Sequence, residues 1–186
     1  MGERRRDRET WLDAETLLPE LAMVGWTRPR AAWPGHLDAH RHAGAWELCL
    51  VARGTVDWWA SDGEHPVPPG SWFITRPGEE HGGAHGTLEP CELYWLQLRT
   101  RPWLPGIARP AATALARALT ALPRVAPGEA SDAARFRDLV LALRTPGPFA
   151  AVACRAALHR LLTALLGRTA TQRPPTPSPP MAAALA

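Results

Sequence analysis

The sequence contains no lysine, so all 21 of its basic residues are arginine. The formal net charge is +3, and the arginines are spread along the chain apart from an N-terminal group, Arg4, Arg5, Arg6 and Arg8. A nucleic-acid-binding surface needs its basic residues concentrated on one face. The distribution therefore gives no argument for direct DNA binding, and we interpret the N-terminal group as a solvated terminus.

The sequence also lacks long apolar runs, an apolar segment after its charged start, and paired cysteines. A membrane helix needs about 18 consecutive apolar residues, and a secretory signal needs an apolar stretch near the N-terminus. The three cysteines, Cys49, Cys91 and Cys154, are single and odd in number, which argues against a disulfide framework. These absences predict a cytoplasmic protein that folds in water and has no membrane partner.

The first half of the chain has the pattern of a β-barrel. Short segments rich in tryptophan and valine alternate with Gly, Pro and Asp turns, as in AWELCLVARG, TVDWWASDGEH with its Asp62-Gly63 turn, PPGSWFITRPGEEH and CELYWLQLR. Short strands at such close spacing are typical of a sandwich or barrel. We predict a barrel over residues 21–104, preceded by a flexible arm over residues 1–20.

The second half changes to alanine, leucine and arginine, which favour helices. Three helices are predicted: ARPAATALARALTAL, SDAARFRDLVLALR with Ser131 or Asp132 as its N-cap, and PFAAVACRAALHRLLTALLGR between Pro148 and Gly167. They form a helical unit over residues 105–168. The predicted fold class is therefore mainly β with appended α-helices.

The last segment, residues 169–186, combines a proline-rich stretch, TATQRPPTPSPP, with the short apolar sequence MAAALA. Such a composition predicts an extended linker followed by the start of a truncated helix. This arrangement suggests an N-terminal module whose following domain is missing.

Three histidines and a glutamate have the spacing of a metal site. His40 and His42 share one face of a strand, and a turn at Gly44 is needed to direct Glu47 to the same side. His81 follows a turn-rich segment that could bring it beside the other three. Three imidazoles and a carboxylate suit a divalent transition metal such as zinc, iron, manganese or nickel. The alternative is a set of polar groups that bond to one another and to water without a metal.

These residues carry a resemblance to the cupins. The first motif runs from His40-x-His42 through Glu47 to Gly54, and the second runs from Gly70 through RPG to His81. The order HRHAGAWELCLVARGTVDWWASDGEHPVPPGSWFITRPGEEHGG, then LYWLQLR, then helices and a linker resembles the effector-binding domain of AraC-type transcriptional regulators, over residues 36–166. The resemblance implies a cupin (jelly-roll) barrel that binds a small-molecule effector, helices that form a homodimer, and DNA binding only through a C-terminal domain not present in this chain.

The nine tryptophans are the second candidate feature. Trp46, Trp59, Trp72 and Trp95 fall on segments that would line the barrel, and an aromatic cavity with a few polar groups is what a small ligand needs. We therefore predict that these four contact the effector, although tryptophan is also an ordinary core residue.

The leading hypothesis is a ligand-sensing and dimerisation domain of an AraC-type regulator that is not an enzyme. One alternative is a metal-dependent cupin enzyme, a dioxygenase or isomerase, that uses the same four ligands. Another is a dimerisation scaffold with a filled barrel, which would bind neither metal nor ligand.

Overall fold

The computed structural model describes residues 7–35, 37–101 and 107–171, and for residues 169–171 it describes the backbone alone. The predicted boundary at residues 104–105 and the predicted segment after residue 171 lie outside the described residues.

The described chain is mainly β with three helices, as the sequence predicts. The strands are β1 Arg8–Leu12, β2 Leu21–Thr27, β3 Trp33–Pro34, β4 His40–Arg41, β5 Ala45–Arg53, β6 Val56–Ala60, β7 Gly63–Val67, β8 Ser71–Thr75, β9 Glu80–Gly83, β10 Thr87–Leu88, β11 Glu92–Arg99 and β12 Val125–Pro127. The helices are a 3-10 helix at Asp13–Thr16, α1 Arg109–Thr120, α2 Ala130–Arg144 and α3 Ala150–Thr171.

The strands form a large sheet with the order β1-β2-β11-β5-β8-β12, a four-stranded sheet with the order β4-β9-β6-β7, and the pair β10-β3. Every pairing is antiparallel. The predicted hairpin joins β6 to β7 through Ser61 and Asp62, and Gly63 follows with a φ of 121°, a conformation that side chains rarely adopt.

The large sheet separates two apolar clusters because successive side chains on a strand point to opposite faces. One cluster lies between this sheet and the helices, and it includes Leu48, Trp72, Leu96, Phe136 and Leu158. The other lies between the sheets, with Val51, Trp58, Phe73 and Leu93 among its buried members. The second cluster is the floor of the candidate site described below.

The N-terminal arm differs from its prediction. From Arg8 onward the chain is ordered as β1, which pairs along its whole length with β2, and Leu18 and Glu20 are buried. Trp11 packs against the helix-side cluster, and Arg155 of α3 donates from its Nε to the Glu20 carboxylate at 3.0 Å. Residues 8–20, for which the sequence predicts a flexible arm, are held here by the pairing of β1 with β2 and by the ion pair between Arg155 and the buried Glu20.

The helix ends also differ in detail. The N-cap of α2 is Glu129, and Asp132 occupies the third helical position, where its carboxylate accepts from the Glu129 backbone N–H at 3.1 Å. Gly167 does not end α3, which continues to Thr171 into the predicted linker. A glycine inside a helix costs about 1 kcal/mol relative to alanine. The Arg168 guanidinium offsets that cost by donating to the buried Asp132 carboxylate at 2.6 Å.

Helix α3 is long and apolar enough to cross a membrane by length and composition, since residues Ala150–Arg168 have a mean hydropathy of 1.3. The sequence contains no unbroken apolar run of this length, because arginines interrupt it. Its buried residues recur at helical spacing and pack into the helix-side cluster: Cys154, Leu158, Leu161, Leu162 and Leu165. A core helix passes the same length and composition test, so this feature is weak evidence for a membrane.

Candidate functional site

The four predicted metal ligands converge at one end of the space between the sheets. His40 on β4 pairs directly with His81 on β9, and Glu47 lies on β5 in the large sheet. The chain turns between β4 and β5 at residues 43–44, as the spacing predicts, and the Ala45 backbone N–H donates to the His42 carbonyl. Because of this turn, the Glu47 side chain points to the same side as the histidine side chains.

The geometry of the cluster is compact. One donor atom from each of His40, His42, Glu47 and His81 lies within 4.8 Å of every other. The His81 Nε2 is 2.8 Å from Glu47 Oε2, and the His42 Nε2 is 3.3 Å from Glu47 Oε1. Glu47 and His81 are 7% and 1% exposed, so the carboxylate and one imidazole are shielded from solvent.

Backbone carbonyls orient two of the imidazoles. The His40 Nδ1 lies 2.7 Å from the Asp38 carbonyl oxygen, and the His81 Nδ1 lies 3.0 Å from that of Glu79. A carbonyl can only accept, so each Nδ1 carries the proton and donates it. The Nε2 atoms then remain for the centre of the cluster, which is the usual arrangement behind metal-binding histidines.

Charge is balanced inside the cluster. Burial alone would raise the pKa of Glu47, but hydrogen bonds and attraction from His42 and His81 outweigh it and hold the pKa well below its ordinary value. Burial would likewise lower the pKa of His81, but the Glu47 carboxylate raises it overall. Glu47 is therefore ionised, which is the state that a metal ligand requires.

Gln97 is a member of the cluster that sequence reasoning missed. It lies on β11 opposite Glu47, and its Nε2 is 3.1 Å from both Glu47 Oε1 and His42 Nε2. The Gln97 amide therefore shares the Glu47 carboxylate with His42. Only the pairing of β5 with β11 brings Gln97 to the cluster, because Gln97 is far from the histidine motif in sequence. The sequence alone therefore gives no signal for it.

The donor set fits a divalent transition metal. Imidazole and carboxylate ligands bind such ions at about 2.0–2.2 Å, so two ligands of one ion are about 3–4.4 Å apart. Small side-chain movements would bring the donor atoms of the four residues, which all lie within 4.8 Å of one another, into this range. His40, His42, Glu47 and His81 would hold the ion, and they would supply three neutral nitrogens and one anionic oxygen.

A cavity of about 210 Å³ opens from the cluster into the space between the sheets. Its lining combines the cluster with apolar and aromatic side chains: Arg8, Met23, Thr27, Leu37, His40, His42, Glu47, Cys49, Trp58, Leu93, Trp95 and Gln97. Burial and the nearby Glu47 carboxylate raise the pKa of the Cys49 thiol well above its ordinary value, so Cys49 contributes an uncharged wall. A larger and more open depression of about 600 Å³ beside Pro19 and Arg99 contains none of the predicted ligands.

The four predicted tryptophans separate into three environments. Trp95 lines the cavity, whereas Trp46 and Trp72 point from the same sheet toward the helices and belong to the helix-side cluster. Trp59 follows Trp58 on β6 and therefore points away from the cavity, and it is Trp58 that lines it. The structure thus brings one of the four to the cavity, and strand alternation explains the positions of the other three.

Comparison with known proteins identifies the family. Residues 27–162 match the AraC-like ligand binding domain. No curated protein matches the chain. The fold resembles a predicted oxalate decarboxylase from Thermotoga maritima, at 16% identity and a TM-score of 0.40 over 50% of this chain and 78% of that chain.

Two further solved structures show a similar likeness. A cupin protein from Bacteroides fragilis has 15% identity and a TM-score of 0.40 over 59% of this chain and 94% of that chain. A cupin-2 domain-containing protein from Shewanella frigidimarina has 15% identity and a TM-score of 0.32 over 52% and 76%. The family match spans most of the chain, so this protein belongs to the AraC-like ligand binding domain family and has its cupin fold.

Proposed function

We propose that this chain is the ligand-sensing and dimerisation domain of an AraC-type transcriptional regulator. The observation that carries the proposal is the cavity between the sheets, which joins aromatic walls to a cluster of polar groups. A small-molecule site needs this combination, since apolar walls supply affinity and a few polar groups fix the orientation of the ligand. The domain acts as a sensor if its effector binds one arrangement of sheets and helices more tightly than another.

A divalent metal at His40, His42, Glu47 and His81 is part of this proposal. The two carbonyl-oriented imidazoles support it, because they present their free nitrogens before any ion binds. When bound, the ion would supply a fixed positive charge and open coordination positions at the end of the cavity. The role is structural or effector-binding rather than catalytic.

Dimerisation through the helices is also proposed. Leu141 on α2 and Val152 on α3 are 61% and 62% exposed, and Phe149 just before α3 is 75% exposed. Exposed apolar side chains grouped on a helical hairpin suit a symmetric interface with a second copy. Contacts with DNA would belong to a domain outside this chain. A cytoplasmic location fits the three free, buried cysteines.

The sensor proposal is tested by screening small molecules for thermal stabilisation of the parent and of Met23→Trp, which fills the cavity with a larger side chain. Ala134→Trp, at an exposed position of α2, is the matched control. We expect that some compounds raise the melting temperature of the parent and of the control but leave that of Met23→Trp unchanged. Stabilisers that act equally on all three proteins would contradict binding in the cavity, and turnover of a compound by the metal-loaded parent would favour the enzyme alternative.

The dimer is tested by light scattering coupled to size-exclusion chromatography. The parent is expected at twice the chain mass, and Phe149→Glu or Val152→Glu is expected to shift it to the monomer. A monomeric parent at tens of micromolar would contradict this part of the proposal.

A further inference from the structure

Arg124 is a buried guanidinium that binds three separate segments of the barrel. It follows α1 and directly precedes β12. Its Nη1 donates to the Ile74 carbonyl on β8 at 2.6 Å, and its Nε donates to the Asp62 carboxylate in the β6–β7 turn at 3.1 Å. The two terminal nitrogens also bind the Glu79 carboxylate as a fork, with Nη1 at 2.6 Å from Oε2 and Nη2 bound to Oε1. One side chain therefore connects the large sheet, the four-stranded sheet and the turn between β8 and β9.

Glu79 links this arginine to the histidine cluster. The His81 Nδ1 donates to the Glu79 backbone carbonyl at 3.0 Å, while the other ring nitrogen of His81 lies at Glu47. The Glu79 carboxylate is bound by Arg124, and it also accepts from the Arg76 backbone N–H at 2.8 Å. Glu79 is thus held by its side chain and orients the imidazole with its backbone.

The turn between β8 and β9 is also tied to the end of α1. Arg76 follows β8 directly, and it donates from Nη2 to the Leu122 carbonyl at 3.0 Å and from Nε to the Thr120 carbonyl at 3.3 Å. Thr120 is the last residue of α1. We call Arg76, Glu79 and Arg124 the turn clamp. The turn clamp joins the end of a helix to the carbonyl that orients a predicted metal ligand.

Arg124 also supports an aromatic wall of the cavity through one intervening ring. Its guanidinium carbon is 5.8 Å from the centroid of the Phe73 ring. Phe73 stacks on Trp58 with ring centroids 4.9 Å apart and an angle of 5° between the planes, and Trp58 lines the cavity. An arginine suits both tasks, because its flat face packs on a ring while its edge binds a carboxylate.

We propose that Arg124 is a positioning residue of the metal site. Acting through Glu79, it holds the His81 imidazole in the direction from which it binds the ion, and it connects the site to the end of α1. That role rests on the proposed function, because it requires a divalent ion at the histidine cluster. If the turn clamp strengthens metal binding, then metal binding strengthens the turn clamp by the same factor. Occupancy of the site would reach the helices by this route.

The test is titration of the metal-free full chain with Co²⁺, whose visible absorption reports the number and geometry of its ligands. The variants are Arg124→Gln, which removes the charged fork, and Arg124→Lys, which keeps the charge but cannot bind both Glu79 oxygens and Asp62 at once. Loss of an outer residue that holds a metal ligand typically weakens metal binding about 10- to 100-fold. We expect a loss of about 10-fold in Arg124→Gln, at the low end of this range, together with a changed absorption spectrum. The loss in Arg124→Lys should be smaller.

Two controls separate positioning from a general loss of stability. Asp132→Asn alters a buried carboxylate that binds Trp72 and Arg168 rather than the turn clamp, so it should lower stability and leave the Co²⁺ affinity unchanged. Arg117→Gln removes an exposed arginine of α1 and should change neither. Circular dichroism of each variant establishes that it is folded, and if Arg124→Gln does not fold, Arg124→Lys carries the same comparison.

Glu79→Gln tests the path from Arg124 to His81. It removes the carboxylate that Arg124 binds and keeps the backbone carbonyl that orients His81. We expect it to weaken Co²⁺ binding about as much as Arg124→Gln does. The double variant Arg124→Gln/Glu79→Gln should then lose no more affinity than either single variant, because both changes break one interaction.

Amide hydrogen exchange at the end of α1 tests the connection to the helix. The Ala121 and Leu122 backbone N–H groups donate to the Arg117 and Leu119 carbonyls, so their exchange reports the opening of this end. Loading with Co²⁺ should slow this exchange in the parent and should have less effect in Arg124→Gln.

Each result that would overturn the role is distinct. Unchanged Co²⁺ affinity and spectrum in Arg124→Gln would contradict positioning by Arg124 and leave the proposed metal site intact. An equal loss of affinity in Asp132→Asn would reduce the effect to stability, and losses that add in the double variant would exclude the path through Glu79. Unchanged exchange at the end of α1 in the loaded parent would overturn the connection to the helix. A parent that binds no Co²⁺ would overturn the proposed metal site and this role with it.

Discussion

The same strands form both faces of the large sheet, but one face packs against the helices and the other lines the cavity. On β5, Trp46, Leu48 and Leu50 pack beneath the helices, whereas Glu47 and Cys49 line the cavity on the other side. Because side chains alternate along a strand, each strand contributes to a dry core and to a binding site at once. Stability and ligand recognition can therefore be varied almost separately in this domain, one on each face of the sheet.

The largest effect is expected on the helix face. Phe136 of α2 is fully buried and lies 5.2 Å from the Tyr94 ring and 6.0 Å from the Trp72 ring, measured between centroids. Phe136→Ala removes these contacts and leaves a cavity, so the free energy of unfolding in urea should fall by about 3–5 kcal/mol. Leu12→Ala, at an exposed leucine of β1, should change it by less than about 0.5 kcal/mol. Similar losses in the two variants would contradict the assignment of a core to this face.

The cavity face should respond to metal instead. An ion that binds only the folded state, at a free concentration of about one hundred times its dissociation constant, raises the free energy of unfolding by about 2.7 kcal/mol. Chelation should therefore lower the melting temperature of the metal-loaded parent. The double variant His40→Ala/His42→Ala should melt at one temperature with or without chelator. A chelator effect of equal size in both proteins would place the metal elsewhere.

A buried carboxylate, Asp132, lies on the helix side of the large sheet. The buried Asp132 carboxylate accepts from Trp72 Nε1 at 2.9 Å and pairs with Arg168 near the end of α3. Asp132→Asn weakens these charge-assisted bonds and should cost about 1.5–3 kcal/mol in urea unfolding. Asp138→Asn, which breaks the exposed pair with Arg160, should cost no more than about 1 kcal/mol. Equal costs would mean that Asp132 is not held as tightly as its burial indicates.

A smaller effect is expected from the ion pair between Arg124 and Glu79, in which an Arg124 N–H donates to the Glu79 carboxylate at 2.6 Å. A hydrogen bond from Arg124, joined by a backbone donor and by attraction to Arg76, lowers the pKa of Glu79 from its ordinary value of 4.5 despite partial burial. A lowered carboxyl pKa gives stability that is present above pH 4.5 and is lost as the pH falls through the folded value. Glu79→Gln should cost about 0.5–1.5 kcal/mol at pH 7, and the difference from the parent should shrink as the pH falls below 4.5. A constant difference across this range would contradict the ionised pair.

Much of the barrel follows from sequence because its signals are local. The β5 segment, the β6–β7 hairpin and the turn at Gly44 each depend on residues within one strand and its neighbouring turn. The histidines and Glu47 could be placed together for the same reason, since only His81 comes from another segment.

The directions of the tryptophan side chains could be predicted from neighbouring residues in some cases but not in all. Trp46 precedes Glu47, and Trp59 follows the solvent-exposed Asp57 at strand spacing, so alternation alone could have placed both away from the cavity. For Trp72 no such signal exists, because every residue of β8 is buried on one face or the other. Its direction is set by α2, whose Asp132 is 60 residues away along the chain.

The arm and Gln97 depend on pairings that a single sequence does not display. The mostly polar segment Arg8–Leu12 is recognisable as a strand only beside β2, and Arg8 lies at the cavity through its contacts with Trp33 and Trp95. Long-range pairs of this kind are the part of the site that sequence reasoning could not predict.

We propose that the cavity face of the large sheet is a binding site built on the histidine cluster. Elemental analysis of the purified protein, after loading with a divalent metal and dialysis, tests it most directly. We expect close to one ion per chain in the parent and none in His40→Ala/His42→Ala. A parent without metal, or a double variant that retains as much metal as the parent, would contradict it.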